Sequence, residues 1–506
     1  MKQKLFSLLF SLFLFQISCL NAKSHSFKKY YVSNSGNDLN YGSRKSPFKS
    51  ISKINKIHPE AGDSIFFKGG ETFKGSIQFG DLTGNRQNKI VITSFGGGQA
   101  IIDAGDSNAL MIDHCSFIIV QKINFKGAGR KTGNIKDGVL VSNSKDVDLK
   151  DLDISGFQKS GLLVYNSKLI FISRIFSHDN GSAGITVEGT YGKRNSEGIM
   201  IRGCRAENNA GDPTNLTNHS GNGIVVGNCK KVVIEYCTAT NNGWDMPRIG
   251  NGPVGIWAYE ADDVIIQYCL SYHNKTSKGG ADGGGFDLDG GVTHSTVQYC
   301  FSYDNHGAGF SIFQYWGASS WHDNIFRYNI SEDDGAISDS HGGLYIWNSS
   351  GDAKQFYSCK VYNNIIYNSK GSAISFSEKS NNNGFNYHDN IFVGRDSIIK
   401  GTDSVGKSVF KGNDWWSLQD KFNIKEIRDI KRWSLKTGIE LVDGKVTGYN
   451  IQPHFKNAGH STITSHEHLY KAFENYELLN KEAFPERLSH SISEVMVMVR
   501  KKGVQK

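Results

Sequence analysis

Val233-Ile-Glu-Tyr-Cys-Thr-Ala-Thr-Asn241 returns as Ile265-Ile-Gln-Tyr-Cys-Leu-Ser-Tyr-His-Asn274 and again as Thr296-Val-Gln-Tyr-Cys-Phe-Ser-Tyr-Asp-Asn305. Ile172-Ser-Arg-Ile-Phe-Ser-His-Asp-Asn180 and Ile201-Arg-Gly-Cys-Arg-Ala-Glu-Asn208 precede them; Phe326-Arg-Tyr-Asn329 and Phe356-Tyr-Ser-Cys-Lys-Val-Tyr-Asn363 follow. Cys204, Cys237, Cys269 and Cys300 recur every 31–33 residues, and Cys359 falls two steps later. A period of that length, built from short β-patterned segments with Asn at the turns, predicts an all-β, single-stranded parallel β-helix. Neither a leucine-rich pattern nor a 3.6-residue period is present. A solenoid grows by adding coils, so 506 residues do not demand several domains. The 57 Gly and 7 Pro suit a turn-rich chain of short strands. Cys204, Cys237, Cys269, Cys300 and Cys359 are expected to stack inside the solenoid as small apolar groups. Seven cysteines follow Cys19, an odd number with no C-x-x-C pair, which argues against a disulfide framework or a zinc site.

Each repeat also holds a strand opened by Gly or Ala. The copies are Gly161–Tyr165, Gly184–Glu188, Gly223–Gly227, Gly255–Glu260, Gly285–Asp289, Gly309–Phe313, Gly343–Trp347 and Ala373–Ser377. Side chains alternate across a strand. The outward pairs are therefore Leu163 and Tyr165, Thr186 and Glu188, Val225 and Gly227, Trp257 and Tyr259, Asp287 and Asp289, Ser311 and Phe313, Tyr345 and Trp347, then Ser375 and Ser377. Stacked coils lie roughly 4.8 Å apart, which puts aromatic rings on both sides of an aspartate pair.

That pair sits in Ala281-Asp-Gly-Gly-Gly-Phe-Asp-Leu-Asp-Gly-Gly291, where glycines leave room beside the acids. Asp287 and Asp289 share a strand face with backbones roughly 6.7 Å apart, and Asp282 enters from the preceding loop. Glycoside cleavage needs one carboxyl as acid and another as base or nucleophile, with like charges raising one pKa. Two of Asp282, Asp287 and Asp289 are expected to fill those roles. His306, in Asp304-Asn-His-Gly307, is placed to orient them or share a proton, and His341 repeats that placement one coil later. Trp257, Tyr259, Tyr345 and Trp347 are expected to stack on sugar faces, with Glu260, Phe313 and Gln314 beside them. The intervals from each repeat position to the next glycine-led strand are longest for the three loops before the aspartate strand. Such loops form the wall of a groove; Trp244, Asp245 and Arg248 lie in one of them.

The flanks read differently. Lys2 and Lys4 precede the apolar run Leu5–Ile17, a secretory leader over residues 1–22 and too short for a membrane span. Ile17-Ser18-Cys19 is a rival lipoprotein reading with Cys19 as the anchor. The chain is thus expected to be exported, to the periplasm or beyond, with no transmembrane segment later on. Ser46-Pro47-Phe48 predicts a capping helix with Phe48, Ile51, Ile54 and Ile57 on one face. Residues 23–400 are expected to form the β-helix and 401–506 an irregular cap, with Trp415, Trp416 and Trp433 sealing the end and helical periodicity over Leu469–Ala483. The formal charge of +8 weakly favours an acidic partner. No compact basic patch points to nucleic acid. A monomer is expected.

Tyr30-Tyr-Val-Ser-Asn-Ser-Gly-Asn-Asp38 with Ser46-Pro-Phe-Lys-Ser-Ile51 resembles the opening of exported bacterial β-helix enzymes. From there to about residue 400 the chain resembles right-handed parallel β-helix carbohydrate-active enzymes of the pectate lyase and polygalacturonase-like superfamily. The Asp287 and Asp289 coil followed by Asn305-His306-Gly307 is similar to polygalacturonase-like hydrolases, although their adjacent Asp-Asp pair and Arg-Ile-Lys motif are missing. The seven-residue interval from Asp282 to Asp289 resembles the acid spacing of β-helical lacto-N-biosidases. The resemblance implies a secreted glycoside hydrolase acting on a polysaccharide or oligosaccharide without a cofactor. The alternative it implies is a polysaccharide lyase acting on a uronate polymer, with Asp282, Asp287 and Asp289 as Ca²⁺ ligands and Lys275, Lys278 or Arg248 as the basic group. A non-catalytic glycan-binding solenoid is the third reading.

Overall fold

In the computed structural model the described residues are 26–336, 341–377, 380–489, 497 and 499. The leader expected over residues 1–22, with Cys19, lies outside them. Among the described residues no helix is long and apolar enough to cross a membrane.

The chain winds into a parallel β-helix. The glycine-led strands form one 12-stranded parallel sheet, running from Ile77–Gly80 at one end to Ile399–Lys400 at the other. The remaining coil segments form a second, 25-stranded sheet in which each strand pairs with its equivalent one coil away. Alternation explains why this is stable: inward residues such as Ile224, Val226, Ile256, Ala258, Phe286, Leu288 and Ile312 are fully buried and stack in one continuous core. Fully burying side chains of this size is worth about 1.5–3 kcal/mol each.

Polar ladders run through the same interior. Asn180, Asn209, Asn242, Asn274 and Asn305 occupy equivalent turns, and each side-chain amide donates to the Oδ1 of the next at 2.8–3.0 Å. The series ends on a carboxylate, Asp334, which also accepts from Ser331 Oγ at 2.7 Å. A second series passes from Asn329 through Asn364, Asn390 and Asn413 to the carboxylate of Glu440. The cysteine expectation needs correction at one point. Cys204, Cys237, Cys269 and Cys300 are buried and stacked as expected, but the next members at their position are Asn329 and Asn364. Cys359 pairs in register with Asn324 instead. Its place two periods from Cys300 is numerical, because the coil before it is longer.

Burial pushes the Asp334 carboxyl up to about 7, against the hydrogen bonds from Asn305, Ser331 and Ser302 that favour its charge. A carboxyl raised in the fold is paid for in stability as pH climbs from its unfolded pKa near 4 through its folded value near 7. Asp334→Asn keeps an oxygen for Asn305 and removes the charge. Its melting temperature is expected to exceed the wild type's at pH 8 and to converge with it near pH 4; calorimetry across that range checks this.

The ends follow their sequence signals with adjustments. The N-terminal helix, α1, is a single turn over Ile51–Ile54, capped by Ser50 Oγ accepting from Lys53 N at 3.2 Å. It starts after Pro47 and Phe48 because Ser50 supplies the cap; Phe48, Ile51 and Ile54 are buried and Ile57 packs against the same core. Parallel strands continue past residue 400 to Asp414–Ser417. Trp415 and Trp433, the latter on α2 (Ile430–Thr437), meet edge to face at 5.3 Å and close the core there. The later segment turns back along the outside of the coil. α3 (Leu469–Asn475) and Tyr476 pack on Leu270, Phe301 and Ile330, while Tyr476 Oη donates to Glu332 at 2.7 Å.

Candidate functional site

The 12-stranded sheet presents its outward residues in strict register. Leu163, Thr186, Val225, Trp257, Asp287, Ser311, Tyr345 and Ser375 form one row across eight coils. Tyr165, Glu188, Gly227 and Tyr259 begin the second, and Phe313 and Trp347 continue it beyond Asp289, whose backbone N–H still donates to Ala258 O at 2.8 Å. Register makes the site: a one-residue slip would turn both aspartates inward.

Over this face lies a cavity of about 810 Å³. Its floor includes Trp257, Tyr259, Asp287, Asp289, Phe313, Tyr345 and Trp347. Asn218 and His219 come from the loop before the Asn222–Gly227 strand, Arg248, Asn251 and Gly252 from the loop before Val254–Tyr259, and Ala281 and Asp282 from the loop before Gly284–Leu288. All three long loops therefore build the wall. Arg130 and Lys131 pair with Asp245, and Lys159 pairs with Asp212, which ties two of these loops to earlier coils.

Each acid is held differently. Asp282 adopts a left-handed backbone (φ 59°) as the chain enters the strand, and its Oδ2 accepts from Gly252 N at 2.7 Å. Burial raises its carboxyl to about 6, opposed by that hydrogen bond and by Arg248. Asp289 accepts from Gly290 N at 2.7 Å, yet burial and the charges of Asp282 and Glu260 push it to about 7. Asp287 is only 2% exposed, and its Oδ1 has no hydrogen-bond partner. Burial and its two aspartate neighbours raise it well above the usual carboxylate range. Asp287 and Asp289 titrate as a pair, and the charge of Asp282 raises both.

Glu188 is a fourth acid, three coils back. It accepts from Asn228 Nδ2 at 2.7 Å and from Tyr259 Oη, and burial raises its pKa. Gly227 makes this contact possible: a Cβ there would stand 2.3 Å from Tyr259 Cζ. His219 packs edge to face on Trp257 at 4.8 Å and accepts from Asn222 Nδ2 at 3.0 Å if its Nδ1 is unprotonated; burial lowers its pKa to about 4. Trp257 Nε1 donates to Asn222 Oδ1 at 3.0 Å, so that ring is locked in place. His341 stacks on Tyr345 at 4.6 Å and is also held neutral by burial, near 4.

Of the residues singled out from sequence, Asp282, Asp287, Asp289, Trp257, Tyr259, Phe313, Tyr345 and Trp347 share the cavity, as do His341 and Arg248. His306, Glu260 and Gln314 do not line it. His306 stands behind the turn, its backbone N–H on Asn274 O at 2.9 Å and its Cβ against Gly283, and burial with Lys275 lowers its pKa. Glu260 has a left-handed backbone (φ 44°), which turns its carboxylate off the strand face to accept from Ser319 N at 2.8 Å. Gln314 is fully buried, bonding Ser319 O and Gly291 N at 2.9 and 3.2 Å. Both brace the turn that carries Tyr315 into the cavity. Glu188, Tyr191, Asn218, His219, Asn228 and Tyr315 were not singled out as site residues; Glu188 was on the outward row already, and its distance in sequence from the aspartates hid its nearness in space.

The profile of the Pel9A-like, right handed beta helix region matches residues 30–337. No curated protein matches the chain. Among solved structures, the native GH136 lacto-N-biosidase from Eubacterium ramulus is similar at 17% identity, over 76% of this chain and 67% of its own, with a TM-score of 0.49. Pectate lyase Pel9A is similar at 16% identity over 87% of this chain and 94% of its own, with a TM-score of 0.44. The A-module of the mannuronan C-5 epimerase AlgE4 from Azotobacter vinelandii stands at 13%, 69%, 90% and 0.48 in the same order. The profile spans more than half of the 506 residues, including the aspartate coil, and the chain belongs to the Pel9A-like right-handed β-helix family.

Proposed function

We propose that the protein is a glycoside hydrolase that cleaves a saccharide in this groove, with Asp282 and Asp289 as the acid and the base or nucleophile. One observation carries the reading: two carboxyls held near 6 and 7 face the same cavity, so at neutral pH one keeps a proton while the other is charged. Asp287, buried between them and kept neutral, donates a hydrogen bond to a sugar oxygen. Trp257, Tyr345 and Trp347 supply ring faces for stacking. Among the described residues four acids line the groove against the single cation Arg248, which favours an uncharged sugar at the cleavage point over a uronate. Exchange of Asp282 or Asp289 for Asn, with products followed by mass, tests the assignment.

Trp347→Ala is expected to raise KM roughly tenfold with kcat little changed, since a stacked ring is worth about 1.5 kcal/mol in ground and transition state alike. Steady-state kinetics on an oligosaccharide would show it; an unchanged KM would remove Trp347 from the binding surface.

A lyase is the second reading, favoured by the orphaned Oδ1 of Asp287. Three carboxyl groups are an all-oxygen donor set of the kind a hard cation takes, although their oxygens are not drawn within 4.8 Å of one another as the structure stands. Asp282, Asp287 and Asp289 would hold Ca²⁺, and the ion would neutralise a uronate carboxylate. Arg248 is then the cationic side chain on the cavity wall nearest to that role. Chelation separates the two readings: EDTA leaves a hydrolase of this design active and abolishes the lyase.

A further inference from the structure

Away from the groove, three successive coils bring imidazole and carboxylate donors to one edge of the larger sheet. Asp262, Thr293 and His322 align across those coils through parallel bridges. The next residues on two of them, His294 and Asp323, both have left-handed backbones (φ 50° and 56°) and so project together from the turn. One ligand atom each from His294, His322 and Asp323 lies within 4.8 Å of the other two. Asp323 Oδ2 is central, 2.8 Å from His322 Nδ1 and 3.8 Å from His294 Nε2.

Each of these side chains is also braced from behind. Asp262 Oδ1 meets His294 Nδ1 at 2.8 Å, which leaves Nε2 facing Asp323. Thr293 Oγ1 donates to the same Asp262 oxygen at 2.7 Å. The His322 ring lies flat on Tyr357, at 4.8 Å and 14°. Ser358 Oγ donates to Asp323 Oδ1 at 2.5 Å, leaving Oδ2 for the cluster. A carboxylate behind a histidine and a hydroxyl behind a carboxylate are the outer partners that aim metal ligands and set their tautomers.

We propose that His294, His322 and Asp323 bind one divalent transition-metal ion of the zinc class, with water completing the coordination. Two imidazole nitrogens and one carboxylate oxygen suit a borderline ion such as Zn²⁺ and not Ca²⁺ or Mg²⁺, which take oxygen sets. Asp262 and Asp323 together balance a dication. The ion takes the place of the proton now shared between His322 and Asp323, and it staples adjacent coils at the turn. The site borders a second cavity of about 390 Å³ containing Arg194, Glu260, Thr293 and Ser319. Glu260 and Ser319 brace the Tyr315 turn, so the staple lies one layer behind the groove and outside it.

Calorimetric titration of the metal-stripped full-length protein with Zn²⁺ tests the proposal, with melting temperature as a second readout. The expected result is one Zn²⁺ per chain, undisturbed by millimolar Ca²⁺, with a melting temperature that rises with Zn²⁺ concentration by mass action. The His294→Gln/His322→Gln double variant, folded by circular dichroism, should lose both effects, and Asp262→Asn should weaken Zn²⁺ about tenfold. Absence of stoichiometric Zn²⁺ binding would overturn the site. So would binding that persists undiminished in the double variant, or displacement of Zn²⁺ by Ca²⁺.

Discussion

Asp289→Asn and Asp282→Asn are each expected to cut kcat by about a thousandfold or more, since general acid–base catalysis is worth about 10²–10⁴ and a nucleophile more. Neither variant should lose stability. Both carboxyls are raised by burial, so removing their charge relieves a cost that the fold carries at neutral pH. Loss of activity with an unchanged or higher melting temperature is thus the signature, and it separates a chemical role from a structural one. Asp287→Asn should lose less, because burial already keeps that carboxyl neutral and the amide can still donate. The wild-type rate should follow a bell in pH. It falls as pH drops below about 6, where the base takes up a proton, and falls again above about 7, where the acid gives one up. Wild-type rates in all three Asn variants would sink the site assignment.

Asn274→Ala is expected to be the most damaging single change to the fold, lowering stability by about 3 kcal/mol or more. The Asn274 amide donates to Asn305 Oδ1, Ser271 Oγ and Ala239 O, and its oxygen accepts from both the backbone and the side chain of Asn242. Alanine leaves several fully buried groups unpaired, each costing about 1–3 kcal/mol. The effect should exceed that of Cys269→Ala on the neighbouring ladder, whose thiol makes only long contacts of 3.2 and 3.6 Å to carbonyls. Urea unfolding midpoints for the two variants check the order. Equal midpoints would mean that the amide ladder contributes no more than filled space.

The legible and illegible parts of the chain divide along a physical line. A parallel coil repeats its local environment every turn, so the glycine-led strands could be aligned by eye, and the alternation rule then named Trp257, Asp287, Ser311 and Tyr345 as one outward row. The register of the structure is that row. Asp282 was readable because Gly283–Gly285 mark where its loop rejoins the strand. What failed was anything set by a backbone turn at a coil corner. Glu260 ends the strand right after the outward Tyr259, but its left-handed φ sends it off the face toward Ser319. His306 resembles a family position, yet its turn packs against Gly283 from behind the site. Glu188 and His219 reach the cavity from 70 or more residues upstream of Asp289, and only the stacking of coils brings them there. Cys359 illustrates the same limit, since a longer coil shifts counting and leaves register as the true ruler.

The account stands most directly on the mass of the products. Wild-type protein incubated with a panel of neutral and uronate-containing saccharides, in EDTA and in Ca²⁺, is expected to release products carrying one added water, from a neutral substrate, in either buffer. Unsaturated products lacking that water, formed from a uronate polymer and only with Ca²⁺, would contradict it and recast Asp282, Asp287 and Asp289 as ligands.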